Sequence, residues 1–178
     1  MKTLHLLRHA KAEASAENAP AGREDHARPL AKRGRKAAQA LAEHLAASDF
    51  KVDRVFCSTA LRARETLEPL RELLSGTPIA FRETLYLVEQ NTLLEFLRAL
   101  PDTINSVMVV GHNPTFHELA LALTDKAVKG EAEGLKTLKT KFPTGTLCSI
   151  ACEVTRWAVL APKCGTLTQF LRPKDLDD

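Results

Sequence analysis

Val107-Met108-Val109-Val110-Gly111-His112-Asn113-Pro114 decides how the rest of the chain is read. A short unbroken run of apolar, mostly β-branched residues suits a strand covered on both faces. The Gly-His step ends it. Asn113 then offers a cap, and Pro114 a first-turn residue, for a helix whose apolar positions are Phe116, Leu119, Ala120 and Leu123. A buried strand feeding directly into a helix is half of a βαβ unit.

The same alternation continues outward. Thr3 to Leu7 reads as a buried strand, and the polar stretch from residue 19 to residue 27, with Pro20 and Gly22, as a loop. Pro29 to Ala47 reads as a helix, with Leu30, Ala37, Ala38, Leu41 and Leu45 at helical spacing. Val52 to Cys57 is a second strand. Ser58 is placed to cap a helix with Ala63, Leu67, Leu70 and Leu74 inward, and Ser75-Gly76-Thr77-Pro78 stops it. Ile79 to Phe81 is a short strand. Thr92 and Glu95 form a capping box for a helix ending at Pro101. Towards the end, the lysine-rich segment from 126 to 141 reads as a solvated loop, and Thr146 to Val154 and Trp157 to Leu160 as two more strands. Neither a repeat nor a linker divides the chain. The expectation is one α/β domain over residues 1–178, three-layered, with a mostly parallel twisted sheet flanked by helices.

Composition agrees and excludes several classes. Of 178 residues, 44% are apolar and 26% charged, the profile of an ordinary globular domain. The formal charge of +3 is too small, and 5% aromatic residues too few, to argue for nucleic-acid binding. No apolar run is long enough to span a membrane, and Arg8 and His9 cut short any leader-like stretch, so the cytoplasm is the expected location. There the four cysteines would be thiols, and their spacing lacks paired zinc knuckles.

Open α/β sheets bind ligands beyond the carboxyl ends of their strands. The first strand ends in Arg8-His9. The second ends in Cys57-Ser58-Thr59, with Arg62 and Arg64 just inside the following helix. The 107–110 strand ends in Gly111-His112. Two histidines and several arginines therefore converge on one sheet edge, beside helix N-termini. That set suits an anion with several oxygens, and phosphate is the obvious candidate. Any one of these residues alone is better read as structural. Three strand ends carrying such groups together are not.

These blocks resemble the histidine phosphatase superfamily. Leu6-Leu7-Arg8-His9-Ala10-Lys11 looks like its Arg-His-Gly signature, with Ala10 in the glycine's place. Pro29-Leu30 with Gly34, Ser58 through Thr66, and Val109 through Pro114 follow in the family's order. Asp25-His26-Ala27-Arg28-Pro29-Leu30, Phe142-Pro143-Thr144-Gly145 and Phe170-Leu171-Arg172-Pro173 are similar to the short SixA-like phosphohistidine phosphatase branch. The resemblance implies a phosphoglycerate mutase-like fold and a metal-independent phosphohydrolase without cofactors. His9 would be the nucleophile. Arg8 and Arg62 would grip the phosphoryl oxygens, with a further hydrogen bond from His112. Arg64, about 200° around the helix from Arg62, would be a surface residue. Many members carry a glutamate general acid after the third strand. The position aligned with it is Leu87, and Glu83 and Glu89 are the nearby candidates. Without an acid, a phosphoramidate such as phosphohistidine is favoured, because its leaving nitrogen can arrive already protonated. The segment from Pro78 to Asn91 is also too short for a covering insertion. The implied partner is a phosphorylated protein, such as a histidine phosphotransfer domain, or else a small phosphorylated substrate.

Other readings fit the residues less well. Cys57 misses the C-x5-R spacing of a cysteine phosphatase on both sides, with Arg62 too near and Arg64 too far, and suits a buried thiol. His117-Glu118 lacks the second histidine of a zinc protease motif. His5 suits a packing role. A metabolite phosphatase, a mutase, or a phosphate-binding module without turnover are the alternatives that the same pocket leaves open.

Overall fold

A computed structural model describes residues 1–14 and 23–177. They form a seven-stranded sheet in the order β3-β2-β4-β1-β6-β7-β5. Its strands are β1 (Lys2–Arg8), β2 (Arg54–Ser58), β3 (Ile79–Arg82), β4 (Ser106–Gly111), β5 (Thr124–Ala127), β6 (Leu147–Cys152) and β7 (Gly165–Leu171). The helices are α1 (Arg23–Ala27), α2 (Lys32–Ala47), α3 (Leu61–Leu67), α4 (Gln90–Arg98), α5 (Thr115–Leu123) and α6 (Ala132–Leu138). Four of the six strand pairings are parallel; β6 runs antiparallel to both β1 and β7.

Three layers follow from the two-residue period of the strands. Leu7, Val55, Cys57, Met108 and Val110 point to one face, where Leu41 and Leu45 of α2 and Ala63 and Leu67 of α3 cover them. Leu4, Leu6, Phe56, Val107 and Val109 point to the other, under Leu93 and Leu97 of α4 and Phe116 and Leu119 of α5. Runs that are apolar at every position are the consequence of burial on both faces.

The structure corrects several local expectations. The loop expected over 19–27 lies partly outside the described residues, and its latter part is α1. The segment expected as a loop from 126 to 141 holds the end of β5 and all of α6, which buries Leu138. Trp157 to Leu160 is not a strand but a 3-10 turn; Trp157 is fully buried and its indole Nε1 donates to the Ile104 carbonyl at 2.7 Å. The last strand is instead β7, which pairs with β6 and β5. Thr92 lies inside α4 and Glu95 pairs with Arg98 at 2.7 Å, so no capping box forms. Ser58 ends β2 rather than capping α3. The Asn113-Pro114 peptide is cis, α5 starts at Thr115, and the Asn113 amide donates to the Phe142 carbonyl at 3.0 Å instead of capping.

Candidate active site

The parallel register sets the site. Arg8 of β1 lies level with Gly111 of β4, and the His9 amide donates to the Gly111 carbonyl at 3.0 Å. His9 and His112 therefore leave adjacent strands side by side, with ring centroids 5.3 Å apart. The turn after β2 brings in Arg62, buried on α3. Thr66 joins these pieces: its hydroxyl donates to the Arg62 carbonyl at 2.6 Å and accepts from the Ala10 amide at 2.9 Å.

Two glycines allow the backbone to close around His9. Gly145, at φ +74°, donates its amide to the His9 carbonyl at 2.9 Å. That is left-handed backbone, where a side chain is strained. Gly34 on α2 faces the Lys11 carbonyl so closely that a Cβ would sit 2.1 Å from its oxygen. Any side chain there would push away the segment that follows His9.

His9 is buried and its tautomer is fixed. Nδ1 lies 2.8 Å from the Ala10 carbonyl, which can only accept, so Nδ1 carries the proton. The lone pair is left on Nε2, which faces the Arg62 Nε–H at 3.4 Å. Burial depresses the pKa to about 4; the Ala10 bond pulls it up, and the charges of Arg62, Arg8 and Arg28 pull it down again. His112 is held to about 3 by burial and by His9 and Arg62. Both rings are neutral at pH 7. His112 Nε2 pairs with the Ser58 hydroxyl at 2.7 Å, while its Nδ1 is buried with no partner among the described residues.

Arg8 is anchored through Nη1 to the Phe142 carbonyl at 2.7 Å, and its buried Nε has no partner among the described residues. Arg62 is held by Asp25, whose main-chain carbonyl lies 2.6 Å and whose Oδ2 lies 3.1 Å from its guanidinium nitrogens. Asp25 also pairs with Arg28 at 2.9 Å and accepts the Tyr86 hydroxyl. Burial pushes the Asp25 carboxyl up, but the Tyr86 hydrogen bond and the two arginines outweigh it and hold the pKa at about 2.

These groups line a cavity of about 440 Å³ that takes in Arg8, His9, Arg62 and His112 together, with Lys11 and Arg28 adding charge. Among the described residues its one carboxylate is Asp25. Leu87 also lines it, at 61% exposure, where the resemblance places an acid. Glu83 and Glu89 are exposed and outside the lining; Glu89 borders a neighbouring cavity with Glu118. Arg64 is exposed, its guanidinium 5.5 Å from the Phe81 ring. Cys57 is fully buried, and burial pushes its thiol up to about 12, which is inert. His5 pairs with Ser149 at 2.7 Å, and His117 with the Leu138 carbonyl at 2.6 Å. Among the described residues no three His, Cys, Asp or Glu side chains gather in a way that could hold a metal ion. The lining instead suits an oxyanion.

Asp25, Tyr86 and Ser58 are the site's additions to the sequence reading. Asp25 is visible in the sequence only as part of a motif block, and Tyr86 carries no signal at all.

The comparisons agree with this geometry. The model of the histidine phosphatase superfamily (branch 1) matches residues 4–89. An uncharacterized protein of Mycobacterium tuberculosis is 34% identical over 169 residues, covering 94% of this chain and 100% of that one. Among solved structures, a protein of Nakamurella multipartitia assigned as phosphohistidine phosphatase SixA is 29% identical. It has a TM-score of 0.77 and covers 97% of this chain and 96% of that one. A protein of Agrobacterium tumefaciens with the same assignment is 28% identical, with a TM-score of 0.76 and coverage of 97% and 98%. Sheet order, strand-end residues and these likenesses place the chain in the histidine phosphatase superfamily, in its SixA-like branch.

Proposed function

We propose that this protein is a phosphohydrolase that moves the phosphoryl group of a protein phosphohistidine onto His9 Nε2 and then to water. The observation that carries this is a neutral, oriented imidazole among four cations, with no carboxyl among the described lining residues able to donate a proton at pH 7. In the first step the Nε2 lone pair attacks phosphorus. The bond to the substrate's nitrogen breaks, and the departing imidazole keeps the proton it has taken from solvent. In the second step water attacks the phosphoryl group on His9. The electron pair returns to Nε2, a water proton is lost, and inorganic phosphate leaves. Throughout, Nδ1–H stays bonded to Ala10 and fixes the ring.

The charge spread over the equatorial oxygens is met by Arg8 and Arg62, and by His112 Nδ1 as donor if Ser58 donates to Nε2. Positioning and charge neutralisation are most of what phosphoryl transfer asks of a protein. Four cations supply them without a metal. Chelator should therefore leave the rate unchanged, and vanadate, which adopts the five-coordinate geometry, should inhibit.

The leaving group is the sharpest test of substrate class. An alkoxide needs a proton in the transition state, and a missing general acid costs about 10²–10⁴ in rate. Asp25 is ionised and doubly paired, and Glu83 and Glu89 lie outside the pocket. We expect kcat/KM to fall steeply from phosphoramidate and aryl phosphate to alkyl phosphate, with Glu83→Gln and Glu89→Gln unchanged. A flat series would turn the reading towards a metabolite phosphatase with an acid elsewhere. Absence of turnover on every substrate, with vanadate still bound, would leave a phosphate-binding module.

A further inference from the structure

A larger cavity, about 650 Å³, adjoins the catalytic pocket and shares Lys11 and Thr144 with it. It lies between α2, the segment before β6 and the turn after β7. Among the described residues its charged lining is six cations, Lys11, Arg33, Lys36, Lys141, Arg172 and Lys174, against the single carboxylate of Asp177. Arg172 is bound by Asp175 at 2.9 Å. The side chains of Arg33, Lys36, Lys141 and Lys174 make no hydrogen bond or ion pair among the described residues. The whole chain carries a formal charge of only +3, so this is a concentration of charge rather than a share of a general excess. Like charges gathered around a concave surface repel one another and focus the field on an incoming anion. Ala37, Ala40 and Pro173 add apolar lining. The volume is within the range that small-molecule sites occupy.

We propose that this cavity binds an organic polyphosphate, a small molecule carrying two or more phosphate groups on a body with an apolar face. The cations take the phosphates, and the apolar lining takes the body. A single phosphate leaves most of these cations unanswered, and an inorganic chain leaves the apolar lining uncovered. The site is distinct from the phosphoryl pocket and does not depend on which phosphoryl group His9 accepts. Because Lys11 serves both cavities, a bound polyphosphate draws charge away from the catalytic pocket and raises KM there.

The test is calorimetric titration of the whole protein with ATP and with tripolyphosphate, in low salt, with orthovanadate filling the catalytic pocket. ATP should bind, and tripolyphosphate more weakly. The triple variant Arg33→Glu/Lys36→Glu/Lys174→Glu, all on exposed positions, should bind ATP at least about tenfold more weakly, since three attractions become repulsions. Its aryl phosphate turnover without ATP should stay within about twofold of the parent, because none of the three lines the catalytic pocket. ATP should raise KM for aryl phosphate in the parent and not in the variant. Equal ATP affinity in parent and variant would overturn the proposal, as would absence of ATP binding. Tripolyphosphate matching ATP would overturn the organic assignment. A single-stranded oligonucleotide binding more tightly than ATP would move the surface to a nucleic-acid partner.

Discussion

The two halves of the sheet do different work. In the parallel half, β3, β2, β4 and β1, strands end together and hand over side chains: Arg8 and His9, Ser58 with Arg62 beyond it, and His112 after Gly111. The other half, around β6 and β7, hands over mainly backbone. The Phe142 carbonyl anchors Arg8 and Asn113, the Thr146 carbonyl accepts the Arg8 amide, and the Gly145 amide holds the His9 carbonyl. Side-chain chemistry must be written in the sequence, whereas carbonyls and amides come with any sequence that folds there. Substitutions in the first half should therefore change rates, and those in the second should change stability.

The largest expected effect is at His9. His9→Ala should lower turnover by about 10⁵–10⁶, the scale seen when a covalent nucleophile is removed. It should also abolish any acid-labile phosphoenzyme, with Tm near that of the parent. Near-normal turnover would break both the mechanism and the division of labour.

Next come two arginines on one helix. Arg62→Ala should cost about 10²–10³, the usual loss of one preorganised charge-stabilising donor. Arg64→Ala should cost less than about twofold, since exposed positions tolerate change. Asp25→Asn should fall between them. It leaves Arg62 charged but unpins it, so its loss should be lessened with a phosphoryl analogue that orders the guanidinium. An Arg64 effect larger than that of Arg62 would show that α3 presents the other face.

The contrast also explains what could be read in advance. The runs 3–7, 52–57 and 107–110 are legible because burial on both faces makes them mostly apolar, with Leu4, Leu6 and Leu7, Val55 to Cys57, and Val107 to Val110 all in the core. The ends of those runs carry Arg8, His9 and His112, and Arg62 follows one of them by a few residues. β7 escaped because Thr166, Thr168 and Gln169 interrupt its apolar pattern. β5 escaped because it is a polar edge of four residues. Trp157 to Leu160 misled because composition suggests a strand, whereas the fold needs one indole buried and Val159 left 54% exposed. Asp25 could not be ranked because its value lies in meeting Arg62, 37 residues on, and Tyr86, 61 residues on.

In the half around β6 and β7 the expected cost is structural. Trp157→Ala removes a fully buried side chain from the core over α4 and leaves the Ile104 carbonyl without its indole donor. Large-to-small aromatic changes cost about 3–5 kcal/mol. Denaturant unfolding should show that loss while kcat/KM of the folded fraction stays within about twofold of the parent. A rate loss exceeding the loss of folded protein would tie this half to the chemistry.

The smallest effect separates two histidines four residues apart, His5 in the middle of β1 and His9 just past its end. His5, His9 and His112 are neutral in the fold, with pKa values lowered by burial to about 4, 4 and 3 from an ordinary 6.5. Between about pH 6.5 and 4 the unfolded chain therefore binds more protons than the folded one. Stability is then complete above that window and falls as the pH drops through it. Below it Asp25, held at about 2, adds a further loss in the same direction. His5 takes part in this without touching the pocket: it packs edge-on against Phe50 at 4.9 Å and bonds Ser149. His5→Asn removes one titrating group from the buried set. Whatever it costs in packing at pH 7.5, its further fall in Tm on going to pH 5 should be smaller than the parent's by about 4–8 °C, since the lowered His5 pKa is worth about 2 kcal/mol over that interval and each kcal/mol about 2–4 °C in a chain of this size. The pH dependence of kcat/KM should not move, because the limb governed by His9 lies near its own pKa. The measurement is a pair of thermal unfolding series at pH 7.5 and pH 5 beside a pH–rate profile for parent and variant. An unchanged acid slope of Tm would mean that His5 is already charged in the fold. A shifted rate profile would mean that the middle of β1 communicates with its end, and that the separation between packing and chemistry fails within a single strand.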